Sequence, residues 1–271
     1  METKRSATST TILLLTGALL ILPTMSESET LIADKGVYDD AIAEQAWGTR
    51  DSYSPYAEQA YTTRVFWGDT HLHTALSVDA TIFVATLGLE DAYRFARGEE
   101  VRASSGQRVK LSRPLDFLVV ADHAEALGTM DEMLKGNPEM MKDPTLKRWR
   151  DLFNSGPAGA QEVYTEMNAA STEGTAPEAL QDPKLFRTIW DNYIKTGDRF
   201  NEPGRFTALL GYEYTSNYKT NNLHRVVIYR DSGERVRQNL PFSALDSENP
   251  EELWKSLQAY ETETGGQVLA I

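Results

Sequence analysis

The chain contains no cysteine among its 271 residues. This absence excludes disulfide bonds, thiolate metal sites and cysteine nucleophiles at once. Histidine is almost as scarce, with four residues in all, so a metal centre would have to combine a few imidazoles with aspartate and glutamate. The positions of those four histidines are therefore the most informative feature of the sequence.

Basic residues are also in short supply. The chain has 27 lysine and arginine residues against 40 aspartate and glutamate residues, which gives a net charge of −13. Because binding to a nucleic-acid backbone needs a basic surface, we expect no nucleic-acid partner. A small anionic substrate is compatible with this charge, since bound divalent cations invert the local electric field.

Long apolar runs are rare, and the clearest one lies near the N-terminus. Lys4 and Arg5 precede an apolar stretch over residues 11–22, which Pro23 interrupts. This order predicts a signal peptide over residues 1–26 and export to the periplasm or the medium. The run is shorter than the ~20 residues that a membrane span needs, so we expect membrane contact only through this segment. An uncleaved anchor is the alternative.

Two of the four histidines lie close together after a short apolar segment. His71 and His73 are separated by one residue and follow a strand predicted over residues 64–67. Because side chains alternate between the two faces of a strand, both imidazoles should point one way and Leu72 should point into a core. Such a pair can chelate a transition metal, or it can end a strand as two partly buried histidines.

Three further candidate ligands fall at the ends of other predicted strands. His123 follows a buried strand over residues 115–120, and Glu213 follows one over residues 206–210. His224 opens the next strand, although a histidine alone in that position is more typical of a hydrogen-bonded core residue. In α/β folds the functional residues lie at the carboxyl ends of strands, so we expect these side chains to converge.

Asp79 completes the candidate site, because it lies six residues beyond His73 in a segment rich in small residues. A mixed set of nitrogen and oxygen ligands suits zinc, manganese or iron. The predicted ligands are His71, His73, Asp79, His123, Glu213 and His224.

Other charged residues near these positions have simpler explanations. Asp69 and Asp122 are expected to accept hydrogen bonds from backbone groups beside the strand ends. Glu125 is either a site residue or the first-turn carboxylate of a helix predicted to begin near residue 124. Arg225 either binds an anionic substrate or forms a salt bridge.

The alternation of strands and helices predicts an α/β fold with a mainly parallel sheet. Asp182 and Pro183 predict the start of a helix that ends at Gly197. We divide the chain into the signal peptide, an N-terminal extension over residues 27–63, and one domain over residues 64–271. That domain carries a charged helical insertion at about residues 138–182.

Several sequence blocks together resemble a known superfamily. Residues 67–74 read Trp-Gly-Asp-Thr-His-Leu-His-Thr, and residues 116–123 read Asp-Phe-Leu-Val-Val-Ala-Asp-His. Residues 211–215 read Gly-Tyr-Glu-Tyr-Thr, and residues 222–224 read Asn-Leu-His. These blocks resemble the polymerase-and-histidinol-phosphatase (PHP) superfamily. More narrowly, they resemble DUF3604, a PHP-like family of exported bacterial proteins whose function is unknown.

The resemblance implies a distorted (β/α)7 barrel with up to three metal ions at the carboxyl ends of its strands. It also implies hydrolysis of small phosphoester substrates by metal-activated water, with no assigned residue for protonation of the leaving group. By motif, His71 and His73 would bind one metal, and Asp79 would occupy a further ligand position. His123 would bind the neighbouring metal, and Glu213 would be the bridging carboxylate. His224 would bind the third ion.

The sequence departs from the superfamily pattern near its end. That pattern continues with a Pro-His-Asn block and later an Asp-x-His block, whereas this sequence ends at Ile271. We therefore expect an incomplete barrel, and the oligomeric state is not predicted. Two alternatives to a hydrolase stay open, namely a non-catalytic protein that binds metal or ligand and an inactive fragment of a longer enzyme.

Overall fold

The computed structural model describes residues 64–217 and 221–271, except for the side chains of residues 171 and 172. The predicted signal peptide over residues 1–26 and the N-terminal extension over residues 27–63 lie outside this range. Within the described residues, every helix is too short or too polar to cross a membrane.

The described residues form a five-stranded sheet and a separate two-stranded hairpin. In the large sheet the strand order is β1-β4-β5-β6-β7, and β2 pairs with β3 in the hairpin. The strands are β1 (Gly68–Leu72), β2 (Val101–Arg102), β3 (Arg108–Val109), β4 (Phe117–Val120), β5 (Thr207–Ser216), β6 (Leu223–Tyr229) and β7 (Val268–Ala270).

The large sheet is mainly parallel, as predicted. β4 runs parallel to both β1 and β5, and β6 is antiparallel to both β5 and β7. Four of the five strands therefore run in one direction, and only β6 is reversed. Among the described strands nothing pairs with the outer edges of β1 and β7, so this part of the chain forms an open sheet and no closed barrel.

Helices separate most of the strands, which confirms the α/β class. Two short 3₁₀ helices occur at Met140–Lys142 and Glu178–Gln181. The α-helices are α1 (Val78–Ile82), α2 (Leu89–Ala96), α3 (Thr129–Lys135), α4 (Pro144–Phe153), α5 (Pro157–Glu173), α6 (Pro183–Phe200), α7 (Gly233–Val236) and α8 (Pro250–Thr264).

Helix α6 begins where the sequence predicts and ends later than it predicts. The Asp182 side chain accepts a hydrogen bond from the backbone N–H of Lys184, and Pro183 occupies the first turn. The predicted end at Gly197 is wrong, because the helix continues to Phe200. A Cβ at Gly197 would lie 2.4 Å from Leu210 Cδ2, so this glycine allows α6 to approach β5.

The two faces of the sheet are packed differently. One face carries the main core, where Leu118 and Tyr212 pack with Trp190 and Tyr193 of α6. The opposite face carries a small apolar cluster of Val119, Ala121, Val226 and Ile228. Because side chains alternate along each strand, the residues that continue this second face towards the carboxyl ends of β4 and β5 include the candidate ligands.

The segment at residues 138–182 is helical and packs around its own apolar cluster. Leu146 and Trp149 of α4 and Val163 of α5 are buried against Met130 and Met133 of α3. This cluster is separate from the main core, so the segment packs beside the sheet without contributing a strand to it.

Val84 ends α1 in a backbone conformation that β-branched residues rarely adopt. Its φ angle is +68°. The backbone N–H of Ala85 donates to the carbonyl of Ala80, and the N–H of Val84 donates to the carbonyl of Thr81. Glycine is the usual residue at this position of the helix-ending motif, and an L-residue there costs about 1–2 kcal/mol.

We expect Val84→Gly to raise the free energy of unfolding by about 1 kcal/mol, measured by urea denaturation. Glycine adopts a positive φ angle without strain, and little packing is lost because Val84 is 57% exposed. Val84→Ala is the matched control, since it keeps a Cβ and should gain less. A loss of stability in the glycine variant would show that the Val84 side chain stabilises the loop.

Candidate metal centre

The first three histidines come from the carboxyl ends of two parallel strands. His71 lies in β1 and His73 follows it, and Leu72 between them packs against the main core as strand alternation predicts. The predicted strand at residues 64–67 is wrong, because β1 begins only at Gly68. His123 follows β4, where it forms an isolated parallel bridge with Glu213 of β5.

Glu213 lies at the middle of the histidines. Its Oε1 atom is 2.8 Å from Nδ1 of His224 and 3.2 Å from Nε2 of His71. Its Oε2 atom is 2.9 Å from Nε2 of His73 and 3.4 Å from Nδ1 of His123. The side chain is only 1% exposed, so each carboxylate oxygen faces two imidazoles inside the protein.

Asp79 supplies a second carboxylate on the other side of His73. Its Oδ2 atom is 3.0 Å from Nδ1 of His73 and 3.6 Å from Nε2 of His123. The Ser77 hydroxyl donates a hydrogen bond of 2.5 Å to Asp79 Oδ1, and the first turn of α1 holds this aspartate. His73 and His123 therefore lie between two carboxylates.

The six predicted ligands form three overlapping groups in which the donor atoms lie within 4.8 Å of one another. Ligand atoms bound about 2.0–2.2 Å from a zinc-type ion lie roughly 3–3.5 Å apart, which is close to most of the nitrogen–oxygen distances given above. The groups are His71 with His73 and Glu213, His73 with Asp79 and His123, and His123 with Glu213 and His224.

Buried polar atoms without a hydrogen bond support the fit of a cation. Among the described residues, both carboxylate oxygens of Glu213 and Nε2 of His73 are buried without a hydrogen bond. Nε2 of His73 and Oε2 of Glu213 lie 2.9 Å apart, which is close enough for ion pairing. Burying such atoms without partners is costly, and a shared metal ion would satisfy them together.

Protonation of His73 and His123 balances charge on the carboxylates when no ion is bound, because the pKa of each of these imidazoles is raised. Burial opposes the charge of His73, but contacts with Asp79 and Glu213 outweigh burial and raise its pKa to about 10. Burial works against ionisation of Glu213, yet the surrounding imidazoles hold its pKa below the usual range. Burial also opposes ionisation of Asp79, but its contacts with His123 and His73 hold its pKa below the usual range.

Two hydroxyl groups support the cluster, and sequence reasoning missed both. Thr215 Oγ1 lies 2.7 Å from Nδ1 of His123 and 3.0 Å from Nδ1 of His224. Ser77 Oγ accepts a hydrogen bond from the backbone N–H of His123 and lies 3.2 Å from Nδ1 of His73. The available signal for Thr215 was its position two residues after Glu213, on the same face of β5.

Asp69 and Asp122 accept backbone hydrogen bonds, as predicted. Asp69 accepts one from the N–H of His71 at 2.9 Å. Asp122 is fully buried and accepts hydrogen bonds from both the backbone N–H and the hydroxyl of Thr74. Burial raises the pKa of Asp122 to about 6, although the Thr74 hydrogen bonds work against that rise. Both carboxylates hold the backbone beside the cluster.

Glu125 contacts the site and is not a first-turn helix carboxylate, since α3 begins only at Thr129. Its Oε1 atom accepts hydrogen bonds from the backbone N–H groups of Thr215 and Ala244. Its Oε2 atom is buried and lies 3.8 Å from Nδ1 of His123. Glu125 therefore ties the end of β5 to the loop that precedes α8.

The predictions for Arg225 and for the position of Glu213 are not confirmed. Arg225 donates to the carbonyl of its neighbour His224 and forms no salt bridge with any described residue, so the predicted ion pair is not found in this part of the chain. Glu213 lies within a strand rather than after one, because β5 extends from Thr207 to Ser216 instead of ending at residue 210.

We expect Thr74→Val to lower the free energy of unfolding by about 2 kcal/mol, measured by urea denaturation. The substitution keeps the shape of the side chain but removes a hydroxyl donor from the buried Asp122 carboxylate. Thr188→Val is the matched control, because that exposed hydroxyl donates only to the carbonyl of Lys184 in its own helix. Equal losses in the two variants would contradict a special role for the Asp122 contact.

Comparison with known proteins gives one family. A family model described as "Protein of unknown function (DUF3604)" matches residues 60–271. Neither the curated proteins nor the solved structures contain a match to this chain. The matched region includes all six candidate ligands and every described strand. The chain therefore belongs to the DUF3604 family.

Proposed function

We propose that this chain binds divalent metal ions at the histidine cluster and belongs to a metal-dependent hydrolase of the PHP type that acts on phosphoesters. The single observation that carries the proposal is the carboxylate of Glu213. It is buried, neither of its oxygens has a hydrogen bond among the described residues, and four imidazole nitrogens surround it.

The overlap between the three ligand groups supports a centre with more than one ion. His73, His123 and Glu213 each belong to two of the groups. Neighbouring ions would therefore share ligands, and a carboxylate between two ions is typical of hydrolases that use several metals. Glu213 is the proposed bridging residue, and zinc, manganese and iron all suit its nitrogen and oxygen partners.

Divalent ions at this position supply a water of lowered pKa and positive charge for the oxygens of a phosphoester. The chain itself holds the ligand atoms in place. Thr215 orients His123 and His224 through its hydroxyl, and Ser77 orients Asp79. Supporting hydrogen bonds of this kind typically change metal affinity by about 10–100-fold when they are removed.

The proposal extends to the fold and the location of the protein. An open, mainly parallel sheet with helices on one face and ligands at its carboxyl ends fits part of a distorted (β/α)7 barrel. The apolar stretch over residues 11–22 after Lys4 and Arg5 supports cleavage of a signal peptide and export. A small anionic phosphoester is the proposed partner.

We expect Mn²⁺ or Zn²⁺ to bind to the purified chain and to raise its melting temperature. At a free ion concentration 100-fold above the dissociation constant, the stabilisation should be about 2.7 kcal/mol. Elemental analysis measures the bound ion, and differential scanning calorimetry measures the shift.

The matched variants for the metal experiment are two Glu→Gln substitutions. Glu213→Gln removes the central carboxylate charge and should reduce bound metal strongly, as should the double variant His71→Ala/His73→Ala. Glu166→Gln changes a half-buried carboxylate that pairs with Arg148, accepts a hydrogen bond from Trp149 and is not one of the candidate ligands, so it should bind metal like the unmodified chain. Only trace metal in the unmodified chain, or equal metal in all variants, would contradict the site assignment.

We expect the metal-loaded chain to hydrolyse phosphomonoesters or phosphodiesters, and a chelator should abolish the hydrolysis. The test is release of inorganic phosphate or of the alcohol from a panel of both ester types with added Mn²⁺ or Zn²⁺. Glu213→Gln should be inactive, whereas Glu166→Gln should retain full activity. Firm metal binding without hydrolysis of any ester would contradict the proposed activity of this chain and favour one of the two alternatives, a non-catalytic binding protein or an inactive fragment of a longer enzyme.

A further inference from the structure

A cavity of about 220 Å³ is bordered by His73, one of the six candidate ligands. Most of the residues around this cavity are apolar. They come from the end of β1, from the loop before α2, from α2 itself and from the β2–β3 hairpin. The main apolar contributors are Leu72, Leu87, Phe95, Val101 and Val109.

The walls of the cavity are fixed by backbone contacts. The N–H of Ala75, just after β1, donates to the carbonyl of Leu87 at 2.8 Å. The N–H of Thr86 donates to the hydroxyl of Ser104 in the hairpin at 3.0 Å. The loop at residues 85–87 is therefore attached to the turn that follows His73 and also to the hairpin.

The volume indicates how large an occupant can be. An apolar cavity of about 150 Å³ is enough to bind benzene, whereas pockets for whole drug-sized ligands have about 300–1,000 Å³. A cavity of about 220 Å³ thus fits one aromatic ring or a short branched alkyl group. The polar residues at its surface include the carboxylate of Asp91, which disfavours a second anionic group.

We propose that this cavity binds the uncharged apolar group of the substrate while the ester group reacts at the metal centre. The inference rests on the proposed function, because His73 both borders the cavity and belongs to the ligand cluster. The substrate class is then a phosphoester of a single-ring aryl or short branched alkyl alcohol. The cavity sets the preference among alcohols, and the ligand cluster carries out the reaction.

The first arm of the test uses the chain without metal and phenol as the probe. Nuclear magnetic resonance should detect phenol binding through shifts at the methyl groups of Leu72, Leu87 and Val101. Ala85→Leu fills the cavity and should weaken phenol binding at least tenfold. The matched control Ala103→Leu lies in the hairpin, outside the cavity wall, and should bind phenol normally.

A second variant protects the test against a folding failure of the first. Leu87→Ala enlarges the cavity, so binding should shift in favour of naphthol over phenol by at least about tenfold. The absence of phenol binding to the unmodified chain, or unchanged preferences in Ala85→Leu and Leu87→Ala, would overturn the cavity assignment.

The second arm uses the Mn²⁺-loaded chain with phenyl phosphate and methyl phosphate. Ala85→Leu should lower kcat/KM for phenyl phosphate about tenfold relative to methyl phosphate, because only phenyl phosphate carries a ring. Hydrolysis of both esters with equal effects of the variant would overturn the cavity proposal alone. Phenol binding without hydrolysis of either ester would overturn the proposed function, and the substrate assignment would fail with it.

Discussion

The buried carboxylate of Glu213 is the constraint on which the arrangement of the strands depends. A charge removed from water must be paired, and here the pairing groups come from three other parts of the sheet. His71 lies in β1 and His73 just after it, His123 follows β4, and His224 lies in β6. The register of four neighbouring strands therefore has to be correct before this charge is balanced. The site and the sheet cannot form independently of each other.

The same short segment also links the site to the core. Glu213 and Thr215 face the imidazoles, while Tyr212 and Tyr214 point to the other face and pack in the main core. A shift of one residue in the register of β5 would exchange the two sets. Such a shift would bury charge in the core and expose two tyrosines, so packing and electrostatics select the same register.

Local sequence patterns predict most of the site but not the bounds of the strands. The alternation around Leu72 places both imidazoles correctly, because strand geometry is a local property. The apolar residues 65–67 are not strand, since pairing with β4 starts only at Gly68, and Val65 and Trp67 stay exposed. β5 extends to Ser216 because β6 pairs along residues 210–216. The start of β1 and the end of β5 therefore depend on pairing with strands that are distant in the sequence, so the local pattern could not reveal them.

Tertiary surroundings also decide which acidic residues face the imidazoles. Four carboxylates lie close together, but two of them mainly accept other hydrogen bonds. Asp122 accepts hydrogen bonds from the backbone N–H and the hydroxyl of Thr74. Glu125 accepts hydrogen bonds from two backbone N–H groups through one oxygen. Asp79 and Glu213 make the closest contacts with the histidines. Thr215 contacts His123 and His224 on the two neighbouring strands, and Ser77 accepts a hydrogen bond from the backbone of the distant His123. A hydroxyl in the sequence carries no signal for such contacts by itself.

The balance of charge at the centre explains how an acidic chain could attract an anionic substrate. Imidazoles that bind a metal are neutral, so Asp79 and Glu213 contribute a charge of about −2 to the ligand set. One divalent ion balances that charge, and each further ion makes the centre cationic. Under the proposed function, a chain with a net charge of −13 thus repels an extended polyanion over its surface but attracts a small phosphoester at one point. Without metal, the raised pKa of His73 keeps its imidazole protonated, and this proton supplies part of the positive charge that the ions would otherwise provide.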